Sequence, residues 1–223
     1  MKRIPDHARR GTTLIEVALA SSVLVIVGST AILAARSTTQ AYRTETAIAE
    51  LERVGRQAMA EVEAGLRAAD AGAIFPAAVQ APFSSSSVDF SRCIGFVNGA
   101  IQFGPTERLA FEQDPLDPDD GLDDDGDGTI DEGRLVWIEN PGTVAEVRRV
   151  LAPWVAESAT GEVLGNNADE NGNSLNDERG FSVVFEDSLA TVRLTLVRRD
   201  QAGFLAEHEM TRTVALRNTG VNP

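Results

Sequence analysis

A long apolar run near the start of the chain constrains what the sequence can fold into. Residues 12–35 are 24 residues with a single charged side chain, Glu16. A helix rises about 1.5 Å per residue, so a helix of this length spans roughly 36 Å and can cross the core of a bilayer. The run therefore predicts a transmembrane helix. Because a carboxylate inside such a segment is costly, Glu16 is a candidate functional residue.

A short basic segment, residues 1–11, precedes the run. Its four basic side chains and Asp6 give a net charge of +3, which predicts that this leader stays in the cytoplasm. The basic residues are Lys2, Arg3, Arg9 and Arg10. One alternative is a secretory signal peptide, but its apolar region is usually about 7–15 residues long. The other is a plain single-pass anchor, which gives no reason for Glu16.

The junction between the leader and the run resembles the signature of type IV pilins and type II secretion pseudopilins. In that family a prepilin peptidase cuts after a glycine, and a Thr-Leu-Ile-Glu-Val run opens the mature protein. The matching residues are Gly11, Thr13, Leu14, Ile15, Glu16 and Val17. The first mature residue would be Thr12, where the family usually has Phe. The resemblance implies cleavage after Gly11, N-methylation of Thr12 and a role for Glu16 in subunit assembly.

Residues 36–71 continue the helical pattern with a polar composition and one apolar stripe. Its apolar residues recur at steps of three and four, as on one face of a helix. They are Ile48, Leu51, Val54, Ala58, Val62, Leu66 and Ala69. We predict one helix from about Thr12 to Ala71, transmembrane over 12–35 and packed on a globular domain over 36–71. A coiled-coil stalk is the alternative for the second half.

The rest of the chain predicts a linker, residues 72–90, and an antiparallel β domain, residues 91–223. Proline and a serine run mark the linker, and alternating apolar and polar residues mark the strands. The predicted strands are 94–97, 100–103, 108–111, 135–138, 144–151, 181–185, 191–197 and 210–216. The expected fold class is α+β and pilin-like, with the sheet packed against the helix.

The end of the chain shows a second resemblance. The runs 194–199 and 213–218 are similar to the last strands of J-type minor pseudopilins and W-type minor pilins. Those proteins finish in a strand that ends Leu-Arg-Asn, which is the sequence at 216–218 here. The resemblance implies that a β-strand closes the domain.

The composition limits the ligands and the kinds of site that the protein can have. Without the leader, 16 basic and 33 acidic residues remain, a net charge of −17, which disfavours direct binding of nucleic acid or anionic lipid. Cys93 is alone, so no intramolecular disulfide is possible. The sequence has only two histidines, His7 and His208, which is too few to favour a zinc site or a Ser-His-Asp triad. We expect a protein that is not an enzyme and whose domain is stabilised in another way, for which a metal ion is one solution.

The first of two acidic loops, residues 112–133, has eleven carboxylates and no basic residue. Four of them stand at positions 1, 3, 5 and 9 of a calcium-type loop, and a main-chain carbonyl is available at position 7. These residues are Asp123, Asp125, Asp127 and Asp131, with the carbonyl of Thr129. Position 12 holds Arg134 instead of Glu, so Asp131 or Glu132, water or another part of the chain must complete the coordination.

The second loop, residues 166–179, repeats the first without gaps, 46 residues further on. Its candidate ligands are Asp169, Asn171, Asn173 and Asp177, the carbonyl of Leu175, and Glu178. Both loops lead into a predicted strand. The spacing predicts one or two calcium ions bound in the roughly 0.1–1 mM range, more tightly by the Asp-rich first loop. The alternative is a pair of solvated turns, since Asp and Asn favour turn geometry.

Together these features predict a minor pseudopilin or minor pilin subunit in the cytoplasmic membrane. Its partners would be other pilin or pseudopilin subunits, the prepilin peptidase and the membrane, without direct contact to nucleic acid. The fibre would belong to a type II secretion pseudopilus or a type IV pilus-like system. A membrane-anchored, calcium-dependent binding or adhesion module with a pilin-like anchor is the alternative.

The cleavage hypothesis predicts that Gly11→Lys blocks processing by the peptidase, because the enzyme must recognise a small residue next to the membrane. Ala8→Lys adds the same charge to the leader and should be processed normally. Mass spectrometry of the protein extracted from membranes measures the N-terminus. An intact N-terminus on the unaltered chain, with the peptidase present, would contradict the hypothesis of cleavage after Gly11.

Overall fold

The computed structural model describes residues 13–76, 84–98, 100–126, 129–186, 188–199 and 203–216. Contacts divide the chain into two units, Met1–Arg43 and Thr44–Pro223. The predicted cleavage site, Gly11 and Thr12, lies outside the described residues, as does the leader.

Helix α1, Leu14–Arg67, is 54 residues long and carries the predicted transmembrane run at its start. Within the described residues it is the one helix long and apolar enough to cross a membrane, and none of its most apolar window is buried by the protein. An apolar helix of this kind can anchor the protein in a membrane. The prediction of one continuous helix is therefore confirmed.

Between Ser21 and Thr30, the serine and threonine hydroxyl groups of α1 donate hydrogen bonds to carbonyl groups of the same helix. Ser21 donates to the carbonyl of Val17 at 2.5 Å, and Ser29 donates to that of Ile26 at 2.9 Å. Ser22 and Thr30 make the same kind of bond. Since lipid offers no hydrogen-bond partner, these bonds allow polar side chains in an apolar segment.

The helix ends at Arg67, four residues before the predicted end, because the following backbone groups pair with a strand. The carbonyl of Ala68 accepts from the N–H of Cys93 at 2.8 Å, and the N–H of Asp70 donates to the carbonyl of Ser91 at 3.1 Å. A short 3₁₀ helix, Ala71–Ala73, follows, and the Asp70 carboxylate caps it by accepting from the N–H of Gly72.

In the described part of the second unit, eight antiparallel strands form one sheet. They are β1 (Ser84–Ser85), β2 (Ser87–Val97), β3 (Ala100–Gln113), β4 (Gly133–Glu139), β5 (Val147–Val155), β6 (Phe181–Glu186), β7 (Leu189–Arg199) and β8 (Leu205–Ala215). The order is β1-β6-β7-β5-β4-β3-β2, and β8 also pairs with β7. β5 and β7 share a single pair, Val155 with Leu196, so two smaller sheets meet there.

Two details of the sheet differ from the sequence prediction. β1 and the start of β2 lie inside the range predicted as a linker, where Phe75 pairs with Asp89. The predicted strands 100–103 and 108–111 are parts of one strand, β3. Gly104 and Pro105 lie between the pairs Cys93–Phe103 and Ser91–Thr106, at a register shift. A bulge accommodates Pro105, which cannot donate a ladder hydrogen bond.

The core lies between the second half of α1 and the sheet. Most of the predicted stripe is buried, including Leu51 at 0% exposed, but Ile48 is 38% exposed. Ala47 is buried one position earlier, so the apolar face begins on a slightly different side of the helix. The strand residues predicted to share one buried face, Val192, Leu194 and Leu196, are fully buried in β7.

Two glycines of α1 bring the helix close to the sheet at two places. A Cβ on Gly55 would lie 1.6 Å from Met210 of β8, and a Cβ on Gly65 would lie 2.4 Å from the ring of Trp137 in β4. At Gly65 the neighbour is a rigid ring, so the close approach of the helix to the sheet depends on glycine there. At Gly55 the neighbour is the end of the flexible Met210 side chain, which would have to move to admit a Cβ.

Trp137 is buried against α1, and charged groups surround its ring. Its indole N–H donates to the carboxylate of Glu107 at 2.7 Å, and the guanidinium groups of Arg92 and Arg149 lie 5.4 and 5.7 Å from its ring. Phe90 contacts it edge-on, with the ring centroids 5.6 Å apart. These contacts fix one side chain at the meeting point of α1, β2, β3 and β4.

The packing predicts that Leu51→Ala lowers the free energy of unfolding by roughly 2–5 kcal/mol, because it leaves a cavity between helix and sheet. Ile48→Ala, one turn earlier on the same helix, should cost under about 1 kcal/mol, since its side chain is partly in solvent. Urea unfolding of the full chain in detergent, followed by circular dichroism, measures both. Equal losses would contradict this assignment of the core face.

Candidate functional site

The start of α1 is capped by the residues that the pilin-like signature supplies. Thr13 and Glu16 form a reciprocal pair: the N–H of Thr13 donates to Glu16 Oε2 at 2.8 Å, and the N–H of Glu16 donates to Thr13 Oγ1 at 3.4 Å. This is a capping box, which satisfies N–H groups left open at a helix start. Glu16 is exposed. Its carboxylate therefore has a local structural role besides any role in assembly.

The first acidic loop joins β3 to β4, and hydrogen bonds close its base. The N–H of Asp114 donates to the carbonyl of Glu132 at 3.3 Å. The side-chain amide of Gln113 bridges the carbonyls of Asp117 and Glu132, at 3.1 and 3.3 Å. The base therefore remains closed beside the sheet, and β4 begins directly after Glu132.

Carboxylates inside the first loop accept from its backbone. Asp131 accepts from the N–H of Asp120 at 2.9 Å and from that of Gly121 at 3.0 Å. Asp123 Oδ1 accepts from the N–H of Gly126 at 2.8 Å. Such bonds turn the backbone sharply, and Asp131, Gly121 and Gly126 have positive φ angles. Gly and Asp tolerate this conformation better than most residues.

The second loop joins β5 to β6 and makes the same bonds. Asp177 accepts from the N–H groups of Asn166 and Asn167, at 3.1 and 3.0 Å. Asp169 accepts from the N–H groups of Gly172, Asn173 and Ser174, at 2.6 to 3.1 Å. The donors of Asp177 lie 46 residues after those of Asp131, and Gly172 lies 46 residues after Gly126. The sequence repeat is therefore also a repeat of backbone structure.

Two further parallels extend the equivalence of the loops. Asp177 and Gly172 have φ angles of 52° and 75°, against 56° and 76° for Asp131 and Gly126. The residue after Asp131 or Asp177 is a buried glutamate, Glu132 or Glu178. The prediction that each loop leads into a strand is confirmed, because β4 begins at Gly133 and β6 at Phe181.

The side chains of Asn171 and Asn173 in the second loop act both as acceptors and as donors of hydrogen bonds. Asn171 Oδ1 accepts from the N–H of Asn173, and Asn173 Oδ1 accepts from that of Leu175. Their side-chain amides both point at Glu178 Oε2, at 3.4 and 2.5 Å. Since a carbonyl oxygen has two lone pairs, the Oδ1 atoms keep acceptor capacity for a cation. Glu178 Oε1 is held by Arg193 at 3.1 Å, which offsets its charge.

Negative charge is concentrated in the first loop. The pKa of Asp124 is raised, chiefly by the charge of Asp120, and then by desolvation and by Asp117, Asp123 and Asp131. The carboxylates are therefore close enough to repel one another. A divalent cation with oxygen ligands would reverse that repulsion.

The structure describes the predicted ligands of the first loop only in part. Asp127 lies outside the described residues, whereas Asp123, Asp125, Thr129 and Asp131 are in the described part of the first loop. Over the described ranges, no group of three or more His, Cys, Asp or Glu side chains is arranged to hold a metal ion. Calcium also uses carbonyl and amide oxygens, which such a group leaves out. The loops therefore provide oxygen atoms of the right kind, distributed along a turning backbone.

Two buried carboxylates at the loops were not among the predicted ligands. Asp117 and Glu162 are 0% and 6% exposed. In the sequence, Asp117 is one of the eleven acidic residues of the first loop and stands outside its calcium-type spacing, and Glu162 precedes the predicted second loop. Comparing the residues just before each motif for acidic side chains, with a one-residue gap allowed, would have found both.

Comparison of the chain with protein-family models, with curated proteins and with solved structures finds no match. The architecture, a long apolar N-terminal helix whose second half packs on an antiparallel sheet, is compatible with a pilin-like fold.

The carboxylate bonds predict separate effects of two substitutions in the second loop. Asp177→Ala should speed amide exchange at Asn166 and Asn167, and Asp169→Ala should speed it at Gly172, Asn173 and Ser174. A hydrogen bond is worth about 1 kcal/mol net, so each rate should rise roughly fivefold to tenfold. Hydrogen–deuterium exchange of the full chain in chelator measures this. Each variant serves as the control for the other, and faster exchange throughout the loop in both would contradict the assignment.

Proposed function

We propose that the protein is a pilin-like assembly subunit, a minor pseudopilin or minor pilin. Its helix would stay in the cytoplasmic membrane until the subunit joins a fibre of the type II secretion or type IV pilus kind. The observation that carries the proposal is α1, which is capped at its start by Thr13 and Glu16, exposes an apolar run and then packs on an antiparallel sheet. The pilin-like signature at residues 11–17 supports the same proposal.

The exposed side chains of α1 support insertion in lipid. Between Leu14 and Leu33 the large apolar residues are more than half exposed. In water that surface would be unfavourable by about 25 cal/mol per Å², whereas lipid or neighbouring apolar helices would cover it. In a fibre, neighbouring helices of the same kind would cover the apolar surface of α1 once the subunit has left the bilayer.

Glu16 is the proposed assembly residue. After cleavage, the new amine at Thr12 would carry a positive charge into a bundle of apolar helices. Opposite charges attract strongly where the dielectric constant is low, and each is costly alone. Glu16 of one subunit would pair with the amine of its neighbour, so that the charge pair favours one axial position of the subunits.

The two acidic loops would bind calcium and stabilise the globular domain. Their repeated backbone structure and the crowded carboxylates of the first loop support this part of the proposal. Calcium that binds only the folded state stabilises that state by mass action. The gain is on the order of 1–2 kcal/mol per site at millimolar calcium.

The surface of the loops supports a second candidate, a membrane-anchored calcium-dependent binding or adhesion module. Several carboxylates of the first loop are exposed, including Asp119, Asp120 and Asp124, and are available to a partner. This candidate does not require Glu16 to pair with another subunit. The assembly test below therefore separates the two.

The assembly proposal predicts that Glu16→Gln and Glu16→Ala are inserted and cleaved but are poorly incorporated into fibres. Gln preserves the capping box and removes the charge, so a defect in Glu16→Gln isolates the electrostatic role. Thr13→Ala weakens the box and keeps the charge, and it should be incorporated normally. Immunoblotting of sheared fibre fractions measures incorporation. Normal incorporation of Glu16→Gln would refute the pairing role and leave the adhesion module as the better candidate.

The calcium proposal predicts that the full chain in detergent melts several degrees lower in chelator than in several millimolar calcium. Asp125→Asn combined with Asp127→Asn should remove most of this difference, because two ligands of the first loop lose their charge. Sodium chloride at equal ionic strength is the control for simple screening. The loops are solvated turns if calcium and sodium give the same melting temperature.

A further inference from the structure

The two acidic loops are closed at the base by the same backbone hydrogen bond. The N–H of Asp114 donates to the carbonyl of Glu132 at 3.3 Å, and the N–H of Ala159 donates to that of Glu178 at 2.8 Å. Glu132 and Glu178 are equivalent in the sequence repeat. Asp114 and Ala159 are therefore equivalent in space, although they are 45 residues apart and not 46.

Three residues after each closing bond stands a carboxylate. The N–H of Asp117 donates to the carbonyl of Asp114 at 3.1 Å, and the N–H of Glu162 donates to that of Ala159 at 3.0 Å. The two residues occupy the same place in the two loops. The ungapped repeat conceals this, because it aligns Asp117 with Val163 and Glu162 with Leu116, which are both exposed and apolar.

Both carboxylates are buried against their loops, and one oxygen of each accepts a hydrogen bond from the loop backbone. Asp117 Oδ1 accepts from the N–H of Asp124 at 2.9 Å, and Glu162 Oε1 accepts from the N–H of Asn171 at 3.2 Å. Beside Glu162, a Cβ on Gly161 would lie 3.4 Å from that of Asn171, so this segment touches the loop. Asp117 Oδ2 and Glu162 Oε2 are buried, and neither has a hydrogen-bond partner in the described part of the chain.

A buried carboxylate oxygen without a partner is unfavourable, and it is uncommon in folded proteins. Among the described residues, Asp117 Oδ2 and Glu162 Oε2 are such atoms at equivalent positions of two loops, and the sequence of each loop has the ligand spacing of a calcium loop. Calcium takes six to eight oxygen ligands, and the bidentate glutamate usual at position 12 is replaced by Arg134 and Gly180. Each loop therefore lacks the usual position-12 ligand and has a buried carboxylate oxygen without a partner among the described residues.

We propose that Asp117 and Glu162 are direct calcium ligands that take the place of the missing position-12 glutamate, one in each loop; this inference rests on the calcium part of the proposed function. In the second loop the charge matters most, because Glu178 is already offset by Arg193 and two of the motif ligands are neutral asparagines. As a ligand, Glu162 would add a third carboxylate to the two of the second motif, Asp169 and Asp177.

The test is calcium titration of the full chain in detergent by isothermal calorimetry, with charge-removing variants of nearly the same shape. Glu162→Gln should weaken one site by roughly tenfold or more, and Asp117→Asn should weaken the other, because affinity follows ligand charge. The matched controls are Glu170→Gln and Asp119→Asn, exposed acidic residues of the same two loops, which should change affinity by less than about threefold.

Thermal unfolding of the same variants separates ligation from a structural role. In chelator, Glu162→Gln and Asp117→Asn should melt no lower than the unaltered chain, since a buried charge without a partner has been removed. In calcium they should melt lower. Unchanged affinity, or equal destabilisation in chelator and in calcium, would overturn the inference while leaving calcium binding by the loops intact.

The outcome for the unaltered chain separates this inference from the function proposed above. If it takes up no calcium at several millimolar, both the ligand assignment and the calcium part of the proposed function are wrong. Fibre incorporation, which depends on Glu16, would still test the assembly proposal on its own.

Discussion

The fold depends on the burial of one face of α1 against the sheet. Along that face, Gly55 lies against Met210 of β8, and Gly65 lies against Trp137 of β4. Because β5 and β7 share a single residue pair, hydrogen bonding alone joins the two halves of the sheet weakly. The helix packs across both halves, so its apolar face holds together strands that the ladder barely connects.

The loops show a second constraint, the closure of acidic segments at neutral pH. Side-chain carboxylates turn inward to accept backbone N–H groups, and the residues at the turns adopt positive φ angles. This pattern of hydrogen bonds occurs in both loops. The loop between β3 and β4 is rich in Asp, and the loop between β5 and β6 is rich in Asn. Around Asp124 the carboxylates repel one another, and the proposed cation would offset that repulsion.

The sequence predicted the features that repeat along the chain and missed those that arise from packing between distant segments. Helical periodicity located the stripe around Leu51, and alternation located β7, because each pattern is local. The end of α1 at Arg67 was missed because pairing with β2 ends it. Asp117 and Glu162 were missed for a similar reason: a one-residue shift hides their equivalence, and only the closed loop bases reveal it.

The environment of Trp137 gives the domain an intrinsic optical probe. Its indole is shielded from water by α1 and bonded to a carboxylate, whereas Trp154 is only half-buried, with Arg198 above its ring at 4.5 Å. The emission of the two side chains should therefore differ in wavelength and in access to quenchers. Detachment of the helix from the sheet would expose Trp137 first to solvent, and fluorescence would record that event without any added label.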